Sequence, residues 1–147
     1  MTAPRFIVGA ALLLLAGASH GLDYKTVGAA PAILYDAPST EGGKLFIAPR
    51  GMPLEVVLAY GEWVKVRDVG GDLSWTEAKA LSNRHHVIVR NHGLKVRAAP
   101  NESSEPVFIA EKGVLLEPGE SVAGGWIKVR HRDGMAGFVK ATEVWGI

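Results

Sequence analysis

Placing Ala37-Pro38 over Ala99-Pro100 sets the chain against itself at an offset of 62 residues, and the match continues without a gap. Phe46-Ile47-Ala48 falls on Phe108-Ile109-Ala110, Gly51 on Gly113, and Leu54-Glu55 on Leu116-Glu117. After one inserted residue, Trp63-Val64-Lys65-Val66-Arg67 lies over Trp126-Ile127-Lys128-Val129-Arg130, with Gly71 over Gly134 and Ala78 over Ala141. A period of about 60 residues exceeds the ~20 to 50 of solenoid units, so each copy is expected to be a domain. The expected modules are residues 22–83 and 84–147. Almost no linker separates them, because Leu81-Ser82-Asn83-Arg84 runs directly into Val87-Ile88-Val89, and such a joint predicts a fairly fixed relative orientation.

The repeat leaves out the first 21 residues, which read as a targeting signal. Arg5 supplies a positive charge, Phe6 to Ala16 an apolar run, and Ser19 and Gly21 the small residues before a cut after Gly21. The apolar run is well short of the ~20 residues that span a bilayer, so a cleaved secretory signal is expected and a lasting membrane anchor is not. Leu15-Ala16-Gly17 is followed by Ala18 where a lipoprotein box needs its cysteine, which excludes lipidation there. The expected location is periplasmic or secreted.

Within each copy the signals are those of short strands. Eighteen glycines and eight prolines in 147 residues favour many turns over long helices. In the second copy the strand candidates are 87–89, 94–97, 107–110, 114–117, 126–130 and 136–139. Asn91-His92-Gly93, Pro118-Gly119, Gly124-Gly125 and Asp133-Gly134 read as turns, the last as a two-residue hairpin. Five or six strands in ~60 residues predict a small closed barrel that hides its edges. A domain that small buries only ~60% of its unfolded surface, so packing of one module on the other is expected to help.

In the second copy, Val96-Arg97-Ala98-Ala99-Pro100, the Lys-Gly that follows, Gly-Gly-Trp-Ile-Lys-Val-Arg, Asp-Gly and Gly137-Phe138-Val139 together resemble the bacterial SH3-like (SH3b) domain. The first copy is a divergent version, with Leu34-Tyr35-Asp36 in place of Val96-Arg97-Ala98 and Ser74-Trp75-Thr76 in place of the Gly-aromatic-Val ending. The fold expected from the resemblance is all-β, two tandem small SH3-like β-barrels. It also implies an extracytoplasmic adhesion or targeting module, often aimed at peptidoglycan and often attached to a cell-wall hydrolase.

Composition closes several routes to chemistry. The chain has no cysteine, which excludes disulfides, thiolate metal sites and the Cys-His pair of an NlpC-type peptidase. The phosphate-cradling G-x-x-x-x-G-K-[ST] and the zinc-protease H-E-x-x-H patterns are missing, and carboxylates occur singly. A formal net charge of +1 without a basic run gives no nucleic-acid footprint. His85 and His86 are neighbours on an expected strand and point to opposite faces, so they read as solvent-facing rather than as a metal pair. No enzyme activity, cofactor or metal is expected.

The repeated Trp-x-Lys-x-Arg strand carries the candidate site. Period-two alternation places Val64 and Val66 on one face, and Trp63, Lys65 and Arg67 on the other; Ile127 and Val129 oppose Trp126, Lys128 and Arg130 in the same way. Each tryptophan then either packs under a loop as a cap or stands open as a stacking platform beside cations. The expected ligand surface lies around Arg97, Trp126, Lys128 and Phe138, with a degenerate counterpart around Tyr35, Trp63 and Trp75. Residues 84–147 carry nine basic and seven acidic side chains and residues 22–83 six and eight, which favours an anionic partner at the second module. The expected function is binding of peptidoglycan or an envelope protein; the alternative is an assembly spacer without a small ligand.

Overall fold

The computed structural model describes residues 2–3 and 22–147; apart from residues 2–3, the expected targeting segment lies outside the described residues. The rest is all-β. The first seven strands are β1 Tyr24–Val27, β2 Ala32–Tyr35, β3 Lys44–Ala48, β4 Pro53–Tyr60, β5 Trp63–Arg67, β6 Leu73–Glu77 and β7 Leu81–Ser82. The second seven are β8 Val87–Val89, β9 Leu94–Arg97, β10 Pro106–Ala110, β11 Leu115–Val122, β12 Trp126–Arg130, β13 Ala136–Lys140 and β14 Val144–Trp145. They form two seven-stranded sheets, ordered β3-β2-β6-β5-β4-β1-β7 and β10-β9-β13-β12-β11-β8-β14. Adding seven to each strand number of the first order reproduces the second, so the sequence repeat is also a repeat of topology.

The two cores correspond residue by residue. Val27, Ala32, Leu34, Ala48, Leu54, Val64 and Val66 are buried in the first. At the matching positions Val89, Leu94, Val96, Ala110, Leu116, Ile127 and Val129 are buried in the second. On β5 and β12 the aliphatic residues face inward and Lys65, Arg67, Lys128 and Arg130 outward, as the alternation predicts. The inserted residue falls between the paired strands: Gly61-Glu62 joins β4 to β5, whereas Ala123-Gly124-Gly125 joins β11 to β12. Gly124 and Gly125 both have positive φ, 79° and 78°, which lets three residues reverse the chain where two do so in the first module.

Three local expectations are corrected. Pro118-Gly119 is no turn but the middle of β11, where the register with β12 shifts between Pro118 and Ser121. A bulge leaves a backbone N–H out of the ladder, which is where proline fits within a strand. Each module has seven strands instead of five or six, because the two-residue β7 and β14, too short to show periodicity, pair with β1 and β8. The Asp133-Gly134 turn exists, with Gly134 at φ 95°, but the loop is wider than two residues and closes through His131 N–H donating to the Met135 carbonyl at 2.8 Å.

The modules touch through a small junction. The Tyr24 and Trp145 rings meet edge to face with centroids 5.0 Å apart, and Gly146 passes close to Pro53 and the His86 carbonyl. Between β7 and β8 the chain runs from Asn83 to His86 without strand pairing. Thr26 Oγ1 donates to the Arg84 carbonyl at 3.1 Å and lies 2.9 Å from Ser82 Oγ, tying this connection to β1.

Candidate functional site

Cross-strand register assembles the outer face of the second module. Lys128 on β12 lies opposite Phe138 on β13, and Phe138 lies opposite Arg97 on β9, giving a row of three side chains across three strands. Directly opposed residues share a face, as do residues two apart along a strand, so Trp126, Arg130, Lys140 and Lys95 extend the same surface. The four residues expected from the sequence are therefore brought together.

Their environments differ. Trp126 is only 7% exposed, so it acts as a cap and not as an open platform. Lys140, opposite it on β13, holds its ammonium 5.7 Å from the indole centroid, within cation–π range. The same ammonium donates to Glu102 and thereby holds that carboxyl below the usual carboxylate range. Arg97 is fixed by donating from Nη1 to the Ser104 carbonyl at 2.8 Å. Arg97, Trp126, Lys140 and Glu102 line a shallow depression of about 580 Å³ together with Lys95 and His92. Lys128 projects into solvent beside Phe138.

The equivalent face of the first module has the same geometry and different chemistry. Lys65, Trp75 and Tyr35 form the matching row across β5, β6 and β2. The Lys65 ammonium sits 5.9 Å from the Trp75 centroid. Tyr35 is 7% exposed and packs edge to face against Trp63 at 5.5 Å, while Tyr60, 65% exposed, meets Trp75 at 6.3 Å. Where the second module presents Arg97 and Lys140, the first presents Tyr35 and Glu77. One face is cationic and the other aromatic. An ion pair recurs beside both, Arg67–Glu55 at 3.0 Å with the carboxylate largely buried, and Arg130–Glu117 at 3.3 Å, exposed on both sides and so of the kind that adds little stability.

Two contributors to these faces were not singled out from the sequence, Lys140 and Tyr60. Lys140 could have been found, since it follows Phe138 by two residues on one strand. Tyr60 sits at the end of β4, where the strand is exposed on both sides and alternation carries no signal. His86 corrects the solvent-facing expectation. Its Nδ1 is enclosed without a hydrogen-bond partner among the described residues, and burial pushes its pKa below the ordinary histidine value.

A family model described as the bacterial SH3 domain matches the chain twice, over residues 28–83 and 91–146. Among curated proteins none matches. Solved structures that resemble the chain include NlpC2 from Trichomonas vaginalis, with a TM-score of 0.39 and 8% identity, covering 85% of this chain and 48% of that one. NlpC1 from the same organism has a TM-score of 0.39 and 11% identity, covering 92% of this chain and 50% of that one. The chain thus spans about half the length of these two proteins.

Proposed function

The chain belongs to the bacterial SH3 domain family, and from that premise we propose that it is a non-enzymatic exported binding protein for cell-wall peptidoglycan or an envelope protein. The observation that carries this reading is the row Lys128, Phe138, Arg97 with Lys140 above Trp126: rigid strands hold fixed cations beside apolar rings. Peptide stems that expose carboxylates offer matching chemistry, because a guanidinium binds a carboxylate through paired N–H donors and a ring covers the adjoining apolar segment. The site we assign is Arg97, Trp126, Lys128 and Phe138. Tyr35, Trp63 and Trp75 form a second, aromatic cluster, in which Tyr35 is a buried support and Trp75 beside the exposed Tyr60 is better suited to stacking than to charge recognition.

Retention on purified peptidoglycan tests this. Trp126→Ala is a poor probe, since removing a packed indole costs about 3–5 kcal/mol of stability by itself. Arg97→Gln with Lys128→Gln keeps both cores intact and is expected to abolish retention at unchanged melting temperature. Undiminished retention by this variant, with loss in a folded Trp75→Ala variant, would move the site to the first module. The reading as an assembly subunit has one observation in its favour: β3 is an edge strand on which Leu45, Phe46 and Ile47 are 58%, 52% and 66% exposed. Such an edge is open to pairing with another strand. If that reading holds, the protein stays in the supernatant of the pull-down and sediments as a multimer that Ile47→Lys dissociates.

A further inference from the structure

Between the two sheets lies a cleft of about 770 Å³, which shares Arg130 with the outer face of the second module and none of Arg97, Trp126, Lys128 and Phe138. Its walls come from parts of the chain that the repeat does not relate. The turn before β4 contributes Arg50, the connection between modules Arg84 and His86, and the segment from the end of β12 into the next loop Arg130, His131 and Arg132. The single carboxylate among the lining residues is Glu117.

That carboxylate is already engaged by Arg130 at 3.3 Å, and His131 faces Asp133 at 3.0 Å. Arg50, Arg84 and Arg132 make no ion pair among the described residues. Three unneutralised guanidiniums around one concavity focus positive potential into it. The main chain at Arg84 is anchored, because its carbonyl accepts from Thr26 Oγ1. His86 lines the same cleft, and its enclosed Nδ1 has no partner among the described residues, which is costly for a buried polar atom. Burial is the main cause that disfavours a proton on His86; Glu117 opposes it, and Arg84 and Arg50 add to it.

We propose that this cleft is an anion-binding site whose ligand presents at least two oxyanion groups, phosphate or carboxylate, to Arg50, Arg84 and Arg132. Both groups match the planar donor fork of a guanidinium, and a compact polyanion can satisfy arginines from both modules together. A ligand seated there bridges the modules and stabilises their relative orientation by mass action. The inference does not depend on peptidoglycan binding, since no residue of the outer-face site takes part.

Calorimetric titration of the purified chain with inorganic pyrophosphate and with citrate, in sodium chloride of matched ionic strength, tests it. Saturable binding of at least one probe is expected; preference for pyrophosphate marks a phosphate ligand, and preference for citrate a carboxylate ligand. Arg84→Gln with Arg132→Gln is expected to weaken that binding by about tenfold or more, while Arg97→Gln with Lys128→Gln leaves it unchanged. On the unsubstituted protein, the bound probe should shift the amide resonances of Gly51, His86 and Arg132. Absence of saturable binding by both probes, affinity unaltered in the Arg84 and Arg132 variant, or shifts confined to the outer faces would each overturn the assignment.

Discussion

Among the strand glycines of the second module, Gly137 on β13 tolerates an added side chain least. An added Cβ would lie 2.6 Å from the Arg97 carbonyl oxygen and 2.8 Å from Val96 Cγ1. The shortfall against ordinary contact at 3.4 Å is about 0.8 Å, and the nearest atom is backbone, which cannot rotate away. Gly137→Ala must therefore push β13 off β9, which it meets through the one register pair Phe138–Arg97. Overpacking of this kind costs about 1–3 kcal/mol, and a backbone collision belongs at the upper end. Alanine returns up to about 1 kcal/mol by stiffening the unfolded chain, which leaves roughly 2 kcal/mol of destabilisation. For a module of this size that corresponds to a melting temperature lower by about 8–16 °C. Thermal unfolding followed by circular dichroism, with amide signals of Val66 and Val129 reporting the two modules separately, measures it. The first module has Ser74 at the equivalent place, buried without a clash, so Ser74→Ala is expected to change little. A Gly137→Ala protein that melts at or above the parent temperature would show that the sheet yields where this geometry says it cannot.

Three further outcomes are expected. Trp145→Ala removes the edge-to-face contact with Tyr24, worth about 0.5–1.5 kcal/mol beyond its buried area, and should lower the melting temperature of the pair; an isolated 84–147 fragment should melt below the whole chain, and equal temperatures would show independent modules. Burial holds the folded pKa of His86 below its unfolded value, with Glu117 opposing and Arg84 and Arg50 reinforcing the shift, so the unfolded chain takes up the proton first. Its contribution to stability is therefore full above the unfolded histidine pKa of about 6.5 and falls as pH drops toward the lower folded value; denaturant titrations at pH 7.5 and 5.5 should show a smaller loss in His86→Gln than in the parent. Export with cleavage after Gly21 predicts an intact mass that begins at Leu22, whereas a membrane-associated species retaining residues 1–21 would contradict it.

How much of this was legible in advance follows from the range of each interaction. The duplication, the all-β class, the inward Val64, Val66, Ile127 and Val129, and the SH3-like family were readable because they depend on spacing along the chain: a strand shows its buried face at every second residue. The row Arg97, Phe138, Lys128 was partly readable, since the three belong to family-like segments. That they lie side by side is a matter of cross-strand register, which local sequence does not contain. Burial of Trp126 was left open between cap and platform because alternation marks only its face; Lys140, from the neighbouring strand, decides it. Pro118-Gly119 reads as a turn because a bulge inside a paired strand has the same composition as one. The cleft between the modules was invisible altogether. Arg50, Arg84 and Arg132 come from three unrelated stretches of chain, and only the packing of one module against the other brings their charges around a shared cavity.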